Sequence, residues 1–103
     1  MRFVIHAIDH PDSLELRMAT RPRHLAYMAP FDTPVAGPLL DDDGNPCGTC
    51  IVVELADRAA ADAFVAGDPY SQAGLFQSVS VHPFRTVTWP AADPAPYLAP
   101  EPA

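Results

Sequence analysis

The chain has 103 residues, of which 49% are hydrophobic and 18% are charged. That length fits one domain and leaves no room for a second, and the composition supports a single hydrophobic core. Six basic residues against thirteen acidic ones give a net charge of −7, which repels nucleic-acid phosphates and anionic membrane surfaces. We therefore expect neither a nucleic-acid partner nor a membrane partner.

Location is inferred from the absence of targeting features. No segment reaches the roughly 20 apolar residues that a membrane-spanning helix requires. Residues 1–9 already include a histidine and an aspartate, before any apolar run of signal-peptide length. A cytoplasmic location is the resulting expectation, and Cys47 and Cys50 should then be reduced.

The first half of the chain predicts a strand, a helix and a second strand. Residues 3–8 mix β-branched and aromatic side chains, which is typical of a strand. Asp12 stands three positions before Glu15, a spacing that indicates a helix start. The apolar stripe of that helix, expected to face the core, consists of Leu14, Met18, Leu25 and Met28. Pro22 predicts a kink or two abutting helices, and residues 35–40 predict the second strand.

The second half predicts a strand, a helix and a final strand. Residues 49–55 form a β-branched run that should pair back as a hairpin across an aspartate-rich turn. Asp57 can cap a second helix that ends at Gly67. A long last strand is predicted over residues 79–89, with a bulge or an edge position at Pro83.

The order β-α-β-β-α-β predicts an α+β, ferredoxin-like fold, with an antiparallel sheet and helices on one side. We assign this domain to residues 1–89. Residues 90–103 are rich in proline, alanine and acidic side chains, and we expect them to form a tail that is flexible or wraps a partner.

Three stretches, taken in order, resemble the YCII-related (YciI-like) family. They are residues 12–27 with the motif Arg-Pro-Arg-His-Leu, residues 36–39 with Ala-Gly-Pro-Leu, and residues 68–76, which begin Asp-Pro-Tyr. Such proteins are stand-alone ferredoxin-like domains that pair sheet to sheet as dimeric α+β barrels, with a cleft that holds a histidine and an aspartate. The resemblance, which covers residues 1 to about 89, therefore implies a homodimer. Relatives include dehydrochlorinase-like enzymes of aromatic-compound breakdown, and muconolactone isomerases share the barrel.

The resemblance places the candidate catalytic pair at His24 and Asp68. Histidine exchanges protons near neutral pH, and a carboxylate beside it orients one ring nitrogen. On a continuous helix Arg17, Arg21 and His24 share one face at positions i, i+4 and i+7, which would hold an anionic substrate. The alternative is a solvated helix face whose arginines pair with nearby acids, and an Asp68 that only caps the turn begun by Pro69.

Gly37 and Tyr70 complete the predicted substrate site. Gly37 would give a ligand access to the backbone, and the Tyr70 hydroxyl would bond a substrate oxygen, although an aromatic residue at a helix start also suits the core. Cys47 and Cys50 form a C-x-x-C at the predicted hairpin turn, without a second pair or a neighbouring histidine. Cys50 is therefore expected to be a buried small hydrophobe, and we expect no metal and no cofactor.

Two main hypotheses follow. In the first, the chain is a small cofactor-independent lyase or isomerase in which His24 and Asp68 act as a general acid/base pair on an anionic or phenolic small molecule. In the second, it is a non-catalytic ligand-binding or pathway-accessory dimer that uses the same cleft. Redox or metal sensing by the C-x-x-C motif is a third, weaker hypothesis.

Overall fold

A four-stranded antiparallel sheet is the framework of residues 1–88, which the computed structural model describes. Its elements are β1 (Arg2–Asp9), α1 (Leu14–Met28), β2 (Val35–Leu40), β3 (Pro46–Glu54), α2 (Arg58–Gly67), α3 (Pro69–Gln72) and β4 (Phe76–Phe84). The strand order β2-β3-β1-β4, with every pair antiparallel, confirms the predicted ferredoxin-like α+β fold. Within these residues no helix combines the length and hydropathy needed to cross a membrane.

The hydrophobic core lies between the sheet and the helices. Phe3 and Ile5 of β1 point to this side because alternate residues of a strand share a face. Their cross-strand partners in β3, Val53 and Ile51, are equally buried. Phe64 of α2 packs onto this cluster and closes it.

Helix α1 turns a largely polar face toward the sheet. Its buried residues are Arg17, Thr20, His24 and Met28. Leu14, Met18 and Leu25 are between 40% and 52% exposed, so the predicted core stripe is wrong except at Met28. The hydrophobic pattern predicts the wrong face of the helix because the buried Arg17 and His24 each pair with a carboxylate.

Helix α1 is single and continuous across Pro22, so the prediction of two abutting helices is wrong. A proline cannot donate a backbone hydrogen bond to the carbonyl four residues earlier, here that of Met18. Both residues lie at exposed positions, so water can solvate the freed carbonyl. The helix therefore tolerates the proline without breaking.

The two long helices begin differently. Asp57 caps α2 as predicted, because its side chain accepts a hydrogen bond from the Ala60 amide at 2.8 Å. At α1 the cap position is Ser13, whose side chain makes no capping bond. Asp12 has a positive φ of 56° and precedes the cap, so the predicted N-cap at Asp12 is wrong.

Two strand boundaries differ from prediction. Strand β3 begins at Pro46 rather than at residue 49, so Cys47 and Cys50 lie inside the strand and not at a turn. Both cysteines are free and half-buried, so Cys50 is not the buried hydrophobe that was expected. The pairing passes from Leu39–Gly48 to Leu40–Pro46, which makes Cys47 a bulge residue.

Strand β4 is placed earlier in the chain than predicted. It pairs with β1 along its full length and therefore covers Phe76–Phe84 rather than residues 79–89. It is also an edge strand, which is where a proline such as Pro83 is tolerated. Residue 89 and the predicted tail of residues 90–103 lie outside the described residues.

Gly48 lies where β3 approaches its neighbours too closely for any side chain. A Cβ added there would overlap the Ala7 carbonyl oxygen and would stand 2.9 Å from Leu39 Cδ1. A backbone oxygen within a sheet ladder cannot move aside without breaking the ladder. Position 48 therefore requires glycine.

We predict that Gly48→Ala lowers the free energy of unfolding by about 2 kcal/mol or more, since the added methyl group forces β1 and β3 apart. Gly37→Ala in β2 is the matched control, because nothing lies within 4 Å of its added Cβ. The control should change stability by less than about 0.5 kcal/mol. Urea denaturation followed by circular dichroism measures both, and equal stabilities would contradict the packing argument.

Candidate functional site

A cavity of about 450 Å³ opens between α1 and the strands β2 and β3. Apolar side chains, including Met18, Leu25 and Ile51, form much of its wall. Its polar residues are Arg17, Arg21, His24, Thr33, Thr49 and Tyr70. A mostly apolar hollow with a few convergent polar groups is the usual form of a small-molecule site.

His24 and Asp68 meet at the wall of this cavity. His24 Nδ1 lies 2.8 Å from Asp68 Oδ1, and both side chains are buried. Because a carboxylate accepts, the proton of the neutral imidazole is on Nδ1, which leaves a lone pair on Nε2. No residue in the range 1–88 forms a hydrogen bond with Nε2. The ring is thus held at one nitrogen and unoccupied at the other.

Asp68 performs two local tasks at once. It caps the short helix α3, because its Oδ1 also accepts a hydrogen bond from the Tyr70 amide at 2.9 Å. Pro69 occupies the first helical position, where the absence of an N–H does no harm. The cap fixes the carboxylate, and the fixed carboxylate orients His24, so the two roles considered for Asp68 coexist.

Tyr70 supports the imidazole from one face. The rings of Tyr70 and His24 stack with centroids 4.0 Å apart and planes inclined by 17°. The guanidinium carbon of Arg17 lies 4.7 Å from the Tyr70 centroid, in cation–π contact. Tyr70 is only 2% exposed, so these contacts leave the histidine ring little freedom to turn.

Arg17 is buried and its charge is matched. Its Nε donates to Asp9 Oδ2 at 3.0 Å, and one terminal nitrogen donates to the Gly48 carbonyl oxygen and to Thr49 Oγ1. Sequence reasoning missed Asp9 and Thr49. A signal for Asp9 existed, because strict alternation from Phe3 places residue 9 on the buried face of β1, where a carboxylate needs a cation.

Arg21 and Gly37 also border the cavity. Arg21 is exposed on α1 and forms no ion pair with any residue among 1–88. Gly37 in β2 is among the residues that line the cavity, so its backbone is accessible to a ligand there. The structure thus brings five of the six predicted site residues to the wall of one hollow, and the sixth, Asp68, adjoins it through its hydrogen bond to His24. Across residues 1–88, no group of three or more histidine, cysteine or acidic side chains is arranged to hold a metal ion.

Tyr27 lies near the pair of His24 and Asp68. Its hydroxyl donates to the Phe64 carbonyl at 3.0 Å, in the last turn of α2. Gly67 makes room for it, since a Cβ there would lie 2.6 Å from the hydroxyl oxygen. Burial, and then the nearby charge of Asp68, raise the pKa of the Tyr27 phenol above its ordinary value.

Comparison of sequences identifies relatives along most of the chain. The profile of the YCII-related domain family matches residues 1–85. Protein YciI of Escherichia coli O6:H1 is 37% identical in an alignment 97 positions long, which covers 84% of this chain and 99% of that protein. An uncharacterized protein of Haemophilus influenzae is 35% identical, with the same coverage of both chains.

Comparison of structures gives two informative neighbours. The 5-chloro-2-hydroxyhydroquinone dehydrochlorinase TftG of Burkholderia phenoliruptrix, solved in complex with 2,5-dihydroxybenzoquinone, superposes with a TM-score of 0.78 at 32% identity. The match covers 84% of this chain and 95% of TftG. An antibiotic biosynthesis monooxygenase, 15% identical with a TM-score of 0.50 over 79% of this chain and 92% of its own, shares the fold alone.

We predict that Tyr27→Phe reduces stability by about 1 kcal/mol at pH 7, because the Phe64 carbonyl loses its donor. The folded protein keeps the Tyr27 proton at a pH where the unfolded chain loses it. Stability is therefore lost as pH rises above about 10. The variant should lose less stability than the wild type between pH 8 and pH 11. Thermal unfolding of both proteins at pH 8 and pH 11 tests this. Equal losses of stability in the variant and the wild type would contradict it.

Proposed function

We propose that this chain, which belongs to the YCII-related domain family, is a small cofactor-independent enzyme of the lyase type acting on a phenolic or otherwise anionic small molecule. One observation carries the proposal. His24 is held by Asp68 at Nδ1 and has Nε2 unoccupied at the wall of a cavity of about 450 Å³. That is the arrangement of a general base with a nitrogen available to accept a proton.

The chemistry that suits this base is loss of HX from a dihydroxylated ring, where X is a leaving group on a ring carbon. His24 Nε2 first takes a phenolic proton and returns it to the carbon that bears X, which gives the keto tautomer. It then takes the second phenolic proton while the C–X bond breaks and X departs with the bonding electrons. The ring becomes a quinone, and one proton and one X anion are released. Isomerisation would require only the first of these transfers.

The surroundings of His24 fit a flat, hydroxylated ring. Met18, Leu25 and Ile51 offer apolar contact to ring faces. Arg21 at the rim supplies an unmatched positive charge that attracts an anion to an otherwise acidic protein. Further support comes from TftG, a dehydrochlorinase of similar fold at 32% identity, whose substrate is a hydroxylated chloroaromatic ring.

We predict that His24→Ala lowers kcat/KM for 5-chloro-2-hydroxyhydroquinone by about 10²- to 10⁴-fold, because the proposed general base is lost. Asp68→Asn should lower it similarly, because an amide can donate to Nδ1 and so favour the wrong tautomer. Asparagine still caps α3, so folding is retained. Chloride release under anaerobic conditions measures the rate.

The control is His10→Ala, which removes an exposed histidine that does not line this cavity. Its rate should equal that of the wild type. Equal rates for His24→Ala and the wild type would sink the assignment of His24. If the wild-type protein instead binds the ring and returns it unchanged, the chain is the non-catalytic binder of the second hypothesis.

We also propose that the protein is a homodimer joined through the sheet face that the helices leave bare. That face carries apolar residues on all four strands, with Val35, Ile8 and Phe84 each more than a third exposed. Val4 lies at its centre, directly opposite Val52. Burial of this apolar face against a second copy would supply the driving force for association.

We predict that Val4→Asp converts the dimer to a monomer, because the interface would have to bury an unpaired carboxylate. Light scattering during gel filtration should move from twice 11.1 kDa to about 11.1 kDa. Ala59→Asp, on the exposed side of α2, adds the same charge elsewhere and should leave the mass unchanged. A wild-type mass of 11.1 kDa would rule the dimer out.

A further inference from the structure

The buried pair of Arg17 and Asp9 takes no part in the proton transfers assigned to His24. Both side chains are about 95% buried, in a molecule that has few buried charges. Such a pair gains little net stability over apolar residues of the same size. The position of Arg17 at the cavity wall, in contact with Thr49 and Tyr70, points to a role in binding.

The hydroxyl proton of Thr49 makes no hydrogen bond to residues 1–88. Thr49 Oγ1 accepts a hydrogen bond from Arg17, which as a cation can only donate. The hydroxyl proton must therefore point elsewhere, and it has no acceptor within residues 1–88. Thr49 is only 3% exposed and lines the cavity. A buried donor without an acceptor is costly unless a ligand or water meets it.

The hydroxyl proton of Tyr70 likewise makes no hydrogen bond to residues 1–88. The ring is 2% exposed and fixed between His24 and Arg17. None of the hydrogen bonds that join residues of the described range uses its phenolic oxygen, and the residue lines the same cavity. Two hydroxyl donors therefore border one hollow, each fixed in place by contact with the same guanidinium group.

We infer that the hydroxyls of Thr49 and Tyr70 form an oxygen-binding subsite, which donates to an anionic phenolic oxygen of the ligand. Arg17, anchored by Asp9, is the positioning residue for both. This inference rests on the proposed function for its ligand class and extends it by naming the groups that receive the oxygen. Donation from a cation polarises Thr49 Oγ1 and makes its own O–H a stronger donor.

The subsite explains why the arginine is buried and paired instead of open to the ligand. A guanidinium open to the ligand would present its full positive charge and favour carboxylates and phosphates, which match its paired donors. With its charge matched by Asp9, Arg17 acts through two hydroxyls of fixed direction. Selection then favours a ligand oxygen that lies within reach of both donors.

The test is the affinity of the protein for 2,5-dihydroxybenzoquinone, measured by titration calorimetry. Thr49→Val and Tyr70→Phe each remove a hydroxyl and keep the shape, and each should weaken binding by about 10-fold or more. Tyr70→Phe keeps the ring that stacks on His24. Thr49→Ser restores a hydroxyl and should bind within about 3-fold of the wild type.

The matched control is Thr20→Val, because Thr20 is equally buried but does not line the cavity. It should leave the affinity unchanged. The inference is overturned if Thr49→Val and Tyr70→Phe bind as tightly as the wild type, or if Thr20→Val weakens binding as much as they do. A serine variant as weak as the valine variant would also overturn it, since that points to packing.

Binding and turnover separate this inference from the proposed function. Suppose that the affinities follow the expected pattern but that neither the wild type nor any variant releases chloride. The subsite is then supported and the lyase assignment is wrong. If His24→Ala abolishes turnover while the hydroxyl variants bind normally, the lyase assignment stands and the subsite falls. A wild-type protein that does not bind the quinone overturns both.

Discussion

Two basic side chains on the inward face of one helix set the architecture of this domain. Helix α1 buries Arg17 and His24, and each must meet a carboxylate, because an uncompensated polar group in the interior costs several kcal/mol. Asp9 comes from the end of β1, and Asp68 from the start of α3. The two pairs tie the helix to the sheet and to the short helix beside it, so the contacts that orient α1 are also those that shape the cavity.

This arrangement buries less apolar surface on α1 and leaves a cavity beside the helix. Met18 and Leu25 would stabilise a packed core if they faced the sheet, but they lie at the cavity side of α1 and stay about half exposed. The apolar core is displaced toward α2, where Phe64 packs on Phe3 and Ile5. One helix thus carries stability and the other carries the site, a division that departs from best packing where function requires it.

The sequence predicted the order of elements well because the signals were local. Alternation marked the first strand, and Asp57 marked the start of α2. The inward face of α1 was not predictable from hydrophobicity, because its choice depends on carboxylates 8 and 44 residues distant along the chain. Family resemblance supplied His24 and Asp68. Asp9 and Thr49 had no such motif, and only their place in the alternation of two buried strands indicated them.

The position of Tyr70 explains how a base and a buried arginine share one small site. In the proposed mechanism His24 takes a proton, and positive charge then forms on a ring stacked 4.0 Å from the electron-rich face of Tyr70, with the carboxylate of Asp68 at its other edge. Both groups are already in place, so no rearrangement is needed. The guanidinium of Arg17 contacts the same tyrosine ring, and its positive charge, which would oppose the charge on His24, is matched by Asp9. In the proposed mechanism the anchoring carboxylate of Asp9 therefore serves proton transfer and ligand binding together, because without it the arginine that positions the hydroxyls would hinder the base.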